Sequence, residues 1–299
     1  MFEYIKEYLR INEVEYKEKL KLSRISPVRI GGEARLAVYP DNHNKFVELV
    51  RFLGDNGFKY KVFGKTSNVL FPDGEYESIA VFTERLNRVM FKDNTIVAES
   101  GATLPRVCRC AAKQGICGCE ELCGIPGTVG ASLIGNAGAF GREISDLFVS
   151  ANVYFLEDKK SVKLSRSDID FEYRNSNLKK QNCLVLSLEL RGMRDSTQKI
   201  QARMKKLSDQ RLAHQPCDKP SLGSVFKKTC SGISAGALID ECGLKGFSVG
   251  GAVISEKHAG FIINKGGSTA SDYVALADFA ETEVFRRFNV RLEKEIEVI

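Results

Sequence analysis

The strongest constraint on the fold of this chain is a glycine-rich segment between Glu120 and Asp146. Its six glycines form two groups with a spacing of about three residues: Gly124, Gly127 and Gly130, then Gly135, Gly138 and Gly141. Glycine weakens the interior of a helix or strand and fills no core, so neither element explains this pattern. A backbone without Cβ atoms can turn at positive φ and bring N–H groups close to an anion. The segment therefore predicts a phosphate-binding loop, and a run of tight turns between strands is the alternative.

The composition indicates a globular protein whose charge balance is compatible with an anionic substrate. With 299 residues, of which 43% are hydrophobic, the chain is long enough for two domains with buried cores. Lys and Arg number 44 against 38 Asp and Glu, which gives a formal charge of +6. Because this excess is spread along the chain, it indicates a solvated surface that suits an anionic substrate, and no nucleic-acid partner is expected.

The sequence predicts a cytoplasmic protein without a membrane partner. No apolar run approaches the roughly 20 residues that span a bilayer, and the charged start from Met1 to Arg10 lacks the apolar region of a signal peptide. We also expect no metal site, because the nine cysteines include no Cys-x-x-Cys pair and only three histidines occur. An odd cysteine count without a secretory signal fits reduced, mostly buried thiols.

Apolar spacing and capping residues predict the helices. The second predicted helix begins after Asp41 or Asn42, buries Phe46, Leu49, Val50 and Leu53, and ends at Asn56-Gly57. The predicted helices are Phe2 to Leu20, about 43 to 55, Leu104 to Gly115, Thr197 to about Leu212, Ala235 to Cys242, and Ala270 to Phe288.

Alternating or continuous apolar runs predict the strands. The main ones are Lys61 to Phe63, Val69 to Phe71, Ile79 to Thr83, Thr95 to Ser100, Val149 to Leu156 with Ser161 to Leu164 as a hairpin, Cys183 to Arg191, and Val290 to Ile299. The turn at Gly64 to Asn68 is compatible with an ordinary hairpin, and Gly223-Ser224 opens a further short strand.

Three polar residues outside the glycine-rich segment have ordinary interpretations when each is considered alone. Arg174 lies among aromatic and amide neighbours and is typical of a solvated loop arginine. Ser224 follows a glycine, as turn serines do, and Glu295 belongs to a row of carboxylates that alternates with apolar residues. Function therefore requires a constellation that brings them together.

Taken together, these motifs resemble one family, the UDP-N-acetylenolpyruvoylglucosamine reductases, which are flavoenzymes of bacterial peptidoglycan precursor synthesis. The resemblance covers about residues 24 to 299 in family order, and its most specific parts are Gly124 to Gly141 and Gly223 to Lys227. The matching pieces are Arg29 to Gly32, Ser67 to Leu70, Gly124 to Gly130, Asn136 to Gly141, Tyr173 to Ser176, Gln215-Pro216, Gly223 to Lys227, Gly243 to Gly246, His258 with Asn264, and Leu292 to Ile296.

The resemblance implies an α+β fold. It comprises an FAD-binding module of the vanillyl-alcohol-oxidase (PCMH) type, followed by a C-terminal α+β substrate-binding domain. We expect an N-terminal helical arm over residues 1–24, an FAD-binding domain of two lobes over 25–194, and the substrate-binding domain over 195–299, whose last strand returns to the active site. The compact Tyr173-Arg174 region resembles the shorter of two family types, which lacks an extra tyrosine loop. We expect a monomer.

The resemblance also implies the binding residues. For FAD they are Gly64, Lys65, Thr66, Ser67, Asn68, Gly124, Ile125, Pro126, Gly127, Thr128, Gly130, Asn136, Ala137 and Gly138. For the substrate, UDP-N-acetylglucosamine enolpyruvate, they are Arg211, Gln215, Lys227, His258 and Asn264.

Three catalytic residues are implied by the same matches. Ser224 matches the family's proton donor, while Arg174 and Glu295 match the two groups that steady the enolic intermediate. The implied cycle has two half-reactions: NADPH gives a hydride to FAD, and reduced FAD then gives it to the enolpyruvyl C3 while Ser224 protonates C2.

The sequence leaves two alternative functions open, and two departures from the family pattern favour the second of them. Gly64-Lys65-Thr66-Ser67-Asn68 replaces the common Gly-Gly-Gly-Ser-Asn, and Ala131 replaces a glycine, although Lys65 offers a cation for a phosphate. One alternative is another FAD-dependent oxidation on the same fold, which leaves Ser224, Gln215 and Glu295 unexplained. The other is a nucleotide-binding relative without turnover.

Overall fold

A computed structural model describes residues 2–229 and 232–299. The α-helices are α1 Phe2–Ile11, α2 His43–Asp55, α3 Leu104–Lys113, α4 Val129–Ile134, α5 Thr197–His214, α6 Ala235–Glu241 and α7 Ala270–Phe288. The strands are β1 Glu15–Lys21, β2 Glu33–Tyr39, β3 Tyr60–Phe63, β4 Val69–Leu70, β5 Glu75–Tyr76, β6 Ile79–Phe82, β7 Val89–Lys92, β8 Thr95–Glu99, β9 Ile116–Cys117, β10 Gly138–Ala139, β11 Arg142–Glu143, β12 Phe148–Phe155, β13 Lys160–Ser165, β14 Phe171–Glu172, β15 Asn175–Ser176, β16 Cys183–Arg191, β17 Met193–Arg194, β18 Ser221–Ser224, β19 Ser248–Val249, β20 Ala252–Ile254, β21 Phe261–Asn264 and β22 Glu297–Val298.

The chain divides into two units, and each is assembled from separate segments. The first unit comprises the segment ending at Glu18, Leu36–Lys65 and Ser78–Asp209. The second comprises Lys19–Arg35, Thr66–Glu77 and the described residues of Gln210–Ile299. The chain therefore crosses the division inside β1, β2 and α5, and the three predicted domain ranges stay a prediction.

Two sheets form the frame of the first unit. In one, β6 pairs in parallel with β3 and with the part of β2 around Ala37 and Val38. The other is antiparallel in the order β13-β12-β16-β8-β7. The helix α2 begins where the Asn42 side chain accepts the Lys45 N–H at 2.9 Å, and it buries Phe46, Leu49, Val50 and Leu53 as predicted.

The second unit contains a four-stranded antiparallel sheet in the order β18-β21-β20-β19, which packs with α6 and α7. The helix α7 has the predicted bounds and begins with a capping box between Thr269 and Asp272. Residues from distant segments, including Val28, Ile30 and Leu70, complete the core around Tyr273. The short strand β22 pairs in parallel with β4.

Several predicted elements are confirmed and others are wrong. The β12–β13 hairpin and β16 are found where the pattern indicates them. The N-terminal helix ends at Ile11 rather than Leu20, because the chain turns at Glu13, whose φ is 51°, and then enters β1. The turn at Gly64 to Asn68 is not a hairpin, since β3 pairs with β6 and β4 pairs with β22.

The last predicted strand is also shorter than the alternation suggests. Only Glu297–Val298 is a strand, and Val298 is 48% exposed, whereas Leu292 and Ile296 are buried. No helix in residues 2–229 and 232–299 is long and apolar enough to cross a membrane.

Candidate active site

The glycine-rich segment lies in the first unit and contains α4 and the small antiparallel pair β10–β11. Its backbone is bonded to the residues around the start of α3. The Val129 N–H donates to the Ala102 carbonyl at 2.8 Å, and the Leu104 N–H donates to the Gly127 carbonyl at 2.9 Å. These bonds hold both the loop before α4 and the beginning of α4 in place.

Two glycines of this region allow close approach between segments. A Cβ on Gly64, at the end of β3, would lie 2.3 Å from Oγ1 of Thr128. A Cβ on Gly130 would lie 2.8 Å from the Cβ of Ser100. The hydroxyl of Ser100 is buried and has no hydrogen-bond partner among the described residues, so a polar ligand beside Gly130 would satisfy it.

Asn136 fixes the second half of the segment. It is buried at a φ of 42°, a conformation that asparagine tolerates better than most residues. Its Nδ2 donates to the Glu143 carboxylate at 2.6 Å and to the Glu172 carbonyl at 2.9 Å, and its Oδ1 accepts the Ser145 N–H at 3.3 Å. Because these hydrogen bonds are made to other groups of the protein, the Asn136 side chain holds the segment in place.

Arg174 lies next to the same segment. Tyr173 and Arg174 form the two-residue turn between β14 and β15, with Arg174 at a φ of 56°. The Arg174 Nη2 donates to the Gly138 carbonyl at 2.8 Å, and its guanidinium lies 4.9 Å from the centre of the Tyr173 ring. The side chain is half-buried, so it is not the solvated loop arginine of the ordinary interpretation.

In the second unit, backbone pairing brings Ser224 and Glu295 onto adjacent segments. Ser224 ends β18 opposite Phe261, so the prediction that it opens a strand is wrong; the ladder is irregular after Ser221, and Gly223 has a φ of 82°. The next carbonyl, that of Val225, accepts the Glu295 N–H at 2.8 Å. Ser224 and Glu295 are both half-buried.

Asn68 and Lys227 flank this pairing. Asn68 Nδ2 donates to the Glu295 carbonyl at 2.8 Å, and the Asn68 carbonyl accepts the Glu297 N–H at 2.9 Å. The Lys227 N–H donates to the Glu293 carbonyl at 2.9 Å, and its ammonium pairs with the Glu293 carboxylate. Both residues therefore hold the C-terminal segment beside Ser224.

Two further residues predicted to bind the substrate differ in whether other protein groups form hydrogen bonds with their side chains. Oε1 of Gln215 is buried without a hydrogen-bond partner among the described residues, as expected of a group that binds a ligand. Asn264, by contrast, donates to the Val28 carbonyl at 3.0 Å and accepts the Gly266 N–H at 2.8 Å. Its side chain therefore braces the loop after β21.

His258 is held in one orientation. Its Nδ1 accepts the Gly260 N–H at 3.1 Å, and its ring lies edge-on to Phe261 with centroids 4.9 Å apart. Burial lowers the pKa of His258 from its ordinary value. The ring is therefore neutral at pH 7, with its proton on Nε2.

Known proteins match nearly the whole chain. Residues 34–165 match the family described as "FAD binding domain", and residues 215–299 match "UDP-N-acetylenolpyruvoylglucosamine reductase, C-terminal domain". Two relatives named UDP-N-acetylenolpyruvoylglucosamine reductase are each 38% identical. The one from Thermosipho melanesiensis aligns over 96% of both chains, and the one from Caldicellulosiruptor bescii over 98% of this chain and 93% of its own.

The chain belongs to the UDP-N-acetylenolpyruvoylglucosamine reductase family. It is an FAD-dependent oxidoreductase with the predicted fold: an FAD-binding domain followed by the reductase C-terminal domain. The crystal structure of the reductase from Thermus caldophilus is similar, with a TM-score of 0.79, 29% identity, and coverage of 95% of this chain and 98% of that one.

The first unit fits the FAD that the reductase family requires. The buried, unpartnered hydroxyl of Ser100 lies beside Gly130, where a polar group of FAD would satisfy it. The positions that a Cβ would take on Gly64 and Gly130 are already filled by Thr128 and Ser100. Lys65 is exposed and offers a cation for a phosphate. Ala131, which replaces a family glycine, is exposed at the start of α4, where its methyl group does not enter the packed core.

The residues predicted to bind FAD differ widely in exposure. Exposed are Lys65, Asn68, Gly124 and Pro126; half-buried are Gly64, Ser67, Ile125, Gly127, Ala137 and Gly138; buried are Thr66, Thr128, Gly130 and Asn136. Thr66, at a φ of 53°, donates its hydroxyl to the Ile25 carbonyl at 3.3 Å. The assignment of these residues to FAD stays a prediction.

Sequence reasoning missed two structural partners of the site in this reductase. Ser100 follows β8, and its position beside Gly130 depends on a backbone bond that no local pattern reveals. Glu143, which accepts from Asn136, was equally undetectable. Within residues 2–229 and 232–299, no cluster of three or more His, Cys, Asp or Glu side chains could hold a metal ion.

Proposed function

We propose that this chain catalyses the NADPH-dependent reduction of UDP-N-acetylglucosamine enolpyruvate to UDP-N-acetylmuramate, with Ser224, Arg174 and Glu295 as its catalytic residues. Family membership supports the reaction. The bond from the Glu295 N–H to the Val225 carbonyl, at 2.8 Å, carries the residue assignment, because it brings two of the three residues together. A role in bacterial cell-wall synthesis in the cytoplasm belongs to the same proposal.

FAD would supply hydride transfer, first from NADPH and then to C3 of the enolpyruvyl group. The task of the chain is to hold the nucleotide substrate, to steady the charge that develops and to deliver one proton to C2. Ser224 would deliver that proton, and a hydroxyl is acidic enough only if its developing negative charge is stabilised. Lys227 lies three residues after Ser224, and its ammonium is paired with the Glu293 carboxylate.

Substrate binding would use groups of complementary charge and polarity. The planar guanidinium of Arg174 suits the substrate carboxylate. The unsatisfied carbonyl oxygen of Gln215 can accept a hydrogen bond from the substrate, and the neutral His258 can donate one from Nε2. Arg211, half-buried one turn before Gln215, adds a cation for the UDP phosphates. The whole-length match disfavours both alternatives named above.

Replacement of Ser224 by alanine tests the proposed proton donor. We expect Ser224→Ala to retain FAD and to be reduced by NADPH at the normal rate. Reoxidation by the enolpyruvyl substrate should slow by about 10² to 10⁴-fold, as is typical when a general acid is lost. Stopped-flow absorbance of the flavin measures both steps separately. Ser221→Ala, on the same strand, is the matched control, and a wild-type reoxidation rate in Ser224→Ala would contradict the role.

A second substitution tests Arg174. Lysine keeps the charge but cannot form two parallel hydrogen bonds with a carboxylate. We expect Arg174→Lys to slow reoxidation by the substrate and to raise the substrate concentration needed for half-maximal rate, while flavin reduction by NADPH stays nearly normal. Arg166→Lys, in the same unit, is the control. Unchanged half-reactions in Arg174→Lys would show that Arg174 only braces Gly138.

A further inference from the structure

The end of α5 has one backbone acceptor that the helix itself cannot satisfy. In an α-helix each carbonyl accepts the N–H of the residue four positions later, and the residue four positions after Leu212 is Pro216, which has no N–H. The preceding carbonyl, that of Arg211, does accept the Gln215 N–H, at 2.9 Å. The Gln215-Pro216 motif therefore leaves the Leu212 carbonyl in need of a donor from outside the helix.

Lys257 supplies that donor. Its Nζ donates to the Leu212 carbonyl at 2.5 Å, although the two residues are 45 positions apart in the sequence. A hydrogen bond from a charged donor is stronger than one between neutral groups, and a cation at this end also interacts favourably with the helix dipole. The Lys257 ammonium is thus bonded to the part of α5 that lies between the two predicted substrate-binding residues Arg211 and Gln215.

The backbone of Lys257 belongs to a closed turn that carries His258. The buried hydroxyl of Ser255 accepts the Lys257 N–H at 3.2 Å and the His258 N–H at 3.4 Å. Two backbone bonds close the turn: the Ser255 N–H donates to the Phe261 carbonyl at 2.9 Å, and the Phe261 N–H donates to the His258 carbonyl at 3.0 Å. Lys257 therefore connects the end of α5 to a turn that is bonded at several points, and both belong to the second unit.

The two predicted substrate-binding groups on these segments are held in different ways. The His258 ring is confined, because a Cβ on either Gly236 or Gly260 would lie only 3.0 Å from its Cε1. Oε1 of Gln215, by contrast, has no hydrogen-bond partner among the described residues. No protein group therefore fixes this oxygen directly, and its position depends on the backbone at the end of α5.

We propose that Lys257 is a positioning residue of the substrate site: its bond to the Leu212 carbonyl holds the end of α5 and so aligns Gln215 with His258 for a nucleoside diphosphate substrate. This inference rests on the proposed function, in which both residues bind that substrate. Without the Lys257 ammonium, the Leu212 carbonyl would need water as its partner, and the last turn of α5 would fray. Gln215 would then lose its alignment.

Replacement of Lys257 by methionine tests this role, because methionine removes the donor and the position is exposed, so that no core packing is lost. We expect the substrate concentration for half-maximal flavin reoxidation to rise about threefold to tenfold, which corresponds to one ordinary hydrogen bond. FAD retention and the reoxidation rate at saturation should not change. Lys257→Arg keeps a cationic donor and should restore most of the lost affinity. Lys265→Met, at another exposed position of the second unit, is the matched control.

Two further measurements separate positioning from direct contact with the substrate. In the substrate-free protein, hydrogen–deuterium exchange followed by mass spectrometry should show faster exchange at the end of α5 in Lys257→Met than in the wild type. Lys257→Arg should exchange as the wild type does. In a Gln215→Ala background, Lys257→Met should cause no further loss of substrate affinity, because it acts through Gln215.

Each outcome decides the inference. An unchanged half-saturating concentration in Lys257→Met, unchanged exchange at the end of α5, or an effect that adds fully to that of Gln215→Ala would overturn it, and the last result would indicate that Lys257 itself contacts the substrate. If Gln215→Ala alone left substrate affinity unchanged, the proposed function of Gln215 would fail. Hydrogen exchange would still decide whether Lys257 holds the end of α5.

Discussion

His258 shows how one residue links burial to pH dependence. Its ring is half-buried, and burial is the largest cause of its lowered pKa; the neighbouring Lys245 cation acts in the same direction, while Asp240 opposes it. Between the folded-state pKa and the ordinary value of about 6.5, the unfolded chain binds more protons than the folded one. The contribution of His258 to stability is therefore fully present above about pH 6.5 and is lost as pH falls through the folded-state pKa.

A substitution that cannot ionise isolates this contribution. We expect His258→Gln to lose less stability than the wild type between pH 7.5 and pH 5, because glutamine does not take up a proton when the chain unfolds. Urea unfolding midpoints at several pH values measure the difference. His214→Gln, which removes an exposed histidine, is the control variant. Parallel curves for the wild type and His258→Gln would contradict the proposed burial effect.

At the scale of elements, the contact between the end of β3 and the loop before α4 depends on the absence of one Cβ. Gly64 and Thr128 belong to different segments of the first unit, and an alanine methyl at Gly64 would meet Oγ1 of Thr128 at 2.3 Å. Only Cβ of Thr128, at 3.3 Å, would stay close if threonine were shortened to alanine. The two positions should therefore be coupled.

A double-mutant cycle tests this coupling. We expect Gly64→Ala to lower FAD retention and to cost about 1–3 kcal/mol of stability, as overpacking usually does. Adding Thr128→Ala should recover part of both losses, because it removes the clashing atoms. Gly135→Ala is the matched control, since its new Cβ would lie at an ordinary 3.5 Å from the nearest atom. Additive effects in the double variant would rule out the steric explanation.

At the scale of the whole molecule, the second unit depends on chain segments that are far apart in sequence. Val28, Ile30 and Leu70 are at most 2% exposed and belong to the same core as Tyr273 of α7. Asp73 accepts the Ala270 N–H at 2.6 Å at the start of that helix. Val28, Ile30, Leu70 and Asp73 all lie outside the range 195–299.

We therefore expect a fragment of residues 195–299 not to fold on its own. Each missing large apolar side chain removes about 2–5 kcal/mol from a core of this kind. The measurement is thermal unfolding followed by circular dichroism, with the full chain as the cooperative reference. In the full chain, Leu70→Ala should lower the unfolding midpoint and Val298→Ala, at an exposed position, should not. A sigmoidal transition in the fragment would refute the expectation.

The elements that could be predicted are those with strong local signals. The helix α7 has its apolar spacing and its capping box within one stretch of sequence, and β16 is a continuous apolar run. The predictions failed where contacts between distant segments overrode a local sequence pattern. Glu15–Lys21 has a composition that is compatible with a helix, but it forms a strand. The alternating residues from Val290 to Ile299 do not form one continuous strand, because they pair with two different segments of the chain.

The sequence by itself determined the family and the class of enzyme, because glycine spacing and the order of motifs do not depend on knowing which residues meet. Tertiary structure alone decided that Asn136 and Asn264 brace loops, that Arg174 bonds to Gly138, and that the Glu295 backbone pairs beside Ser224. The physical reason is that hydrogen-bond satisfaction and burial are properties of contacts between distant segments. A local pattern records the capacity of a side chain to donate or accept, and only the fold determines its partner.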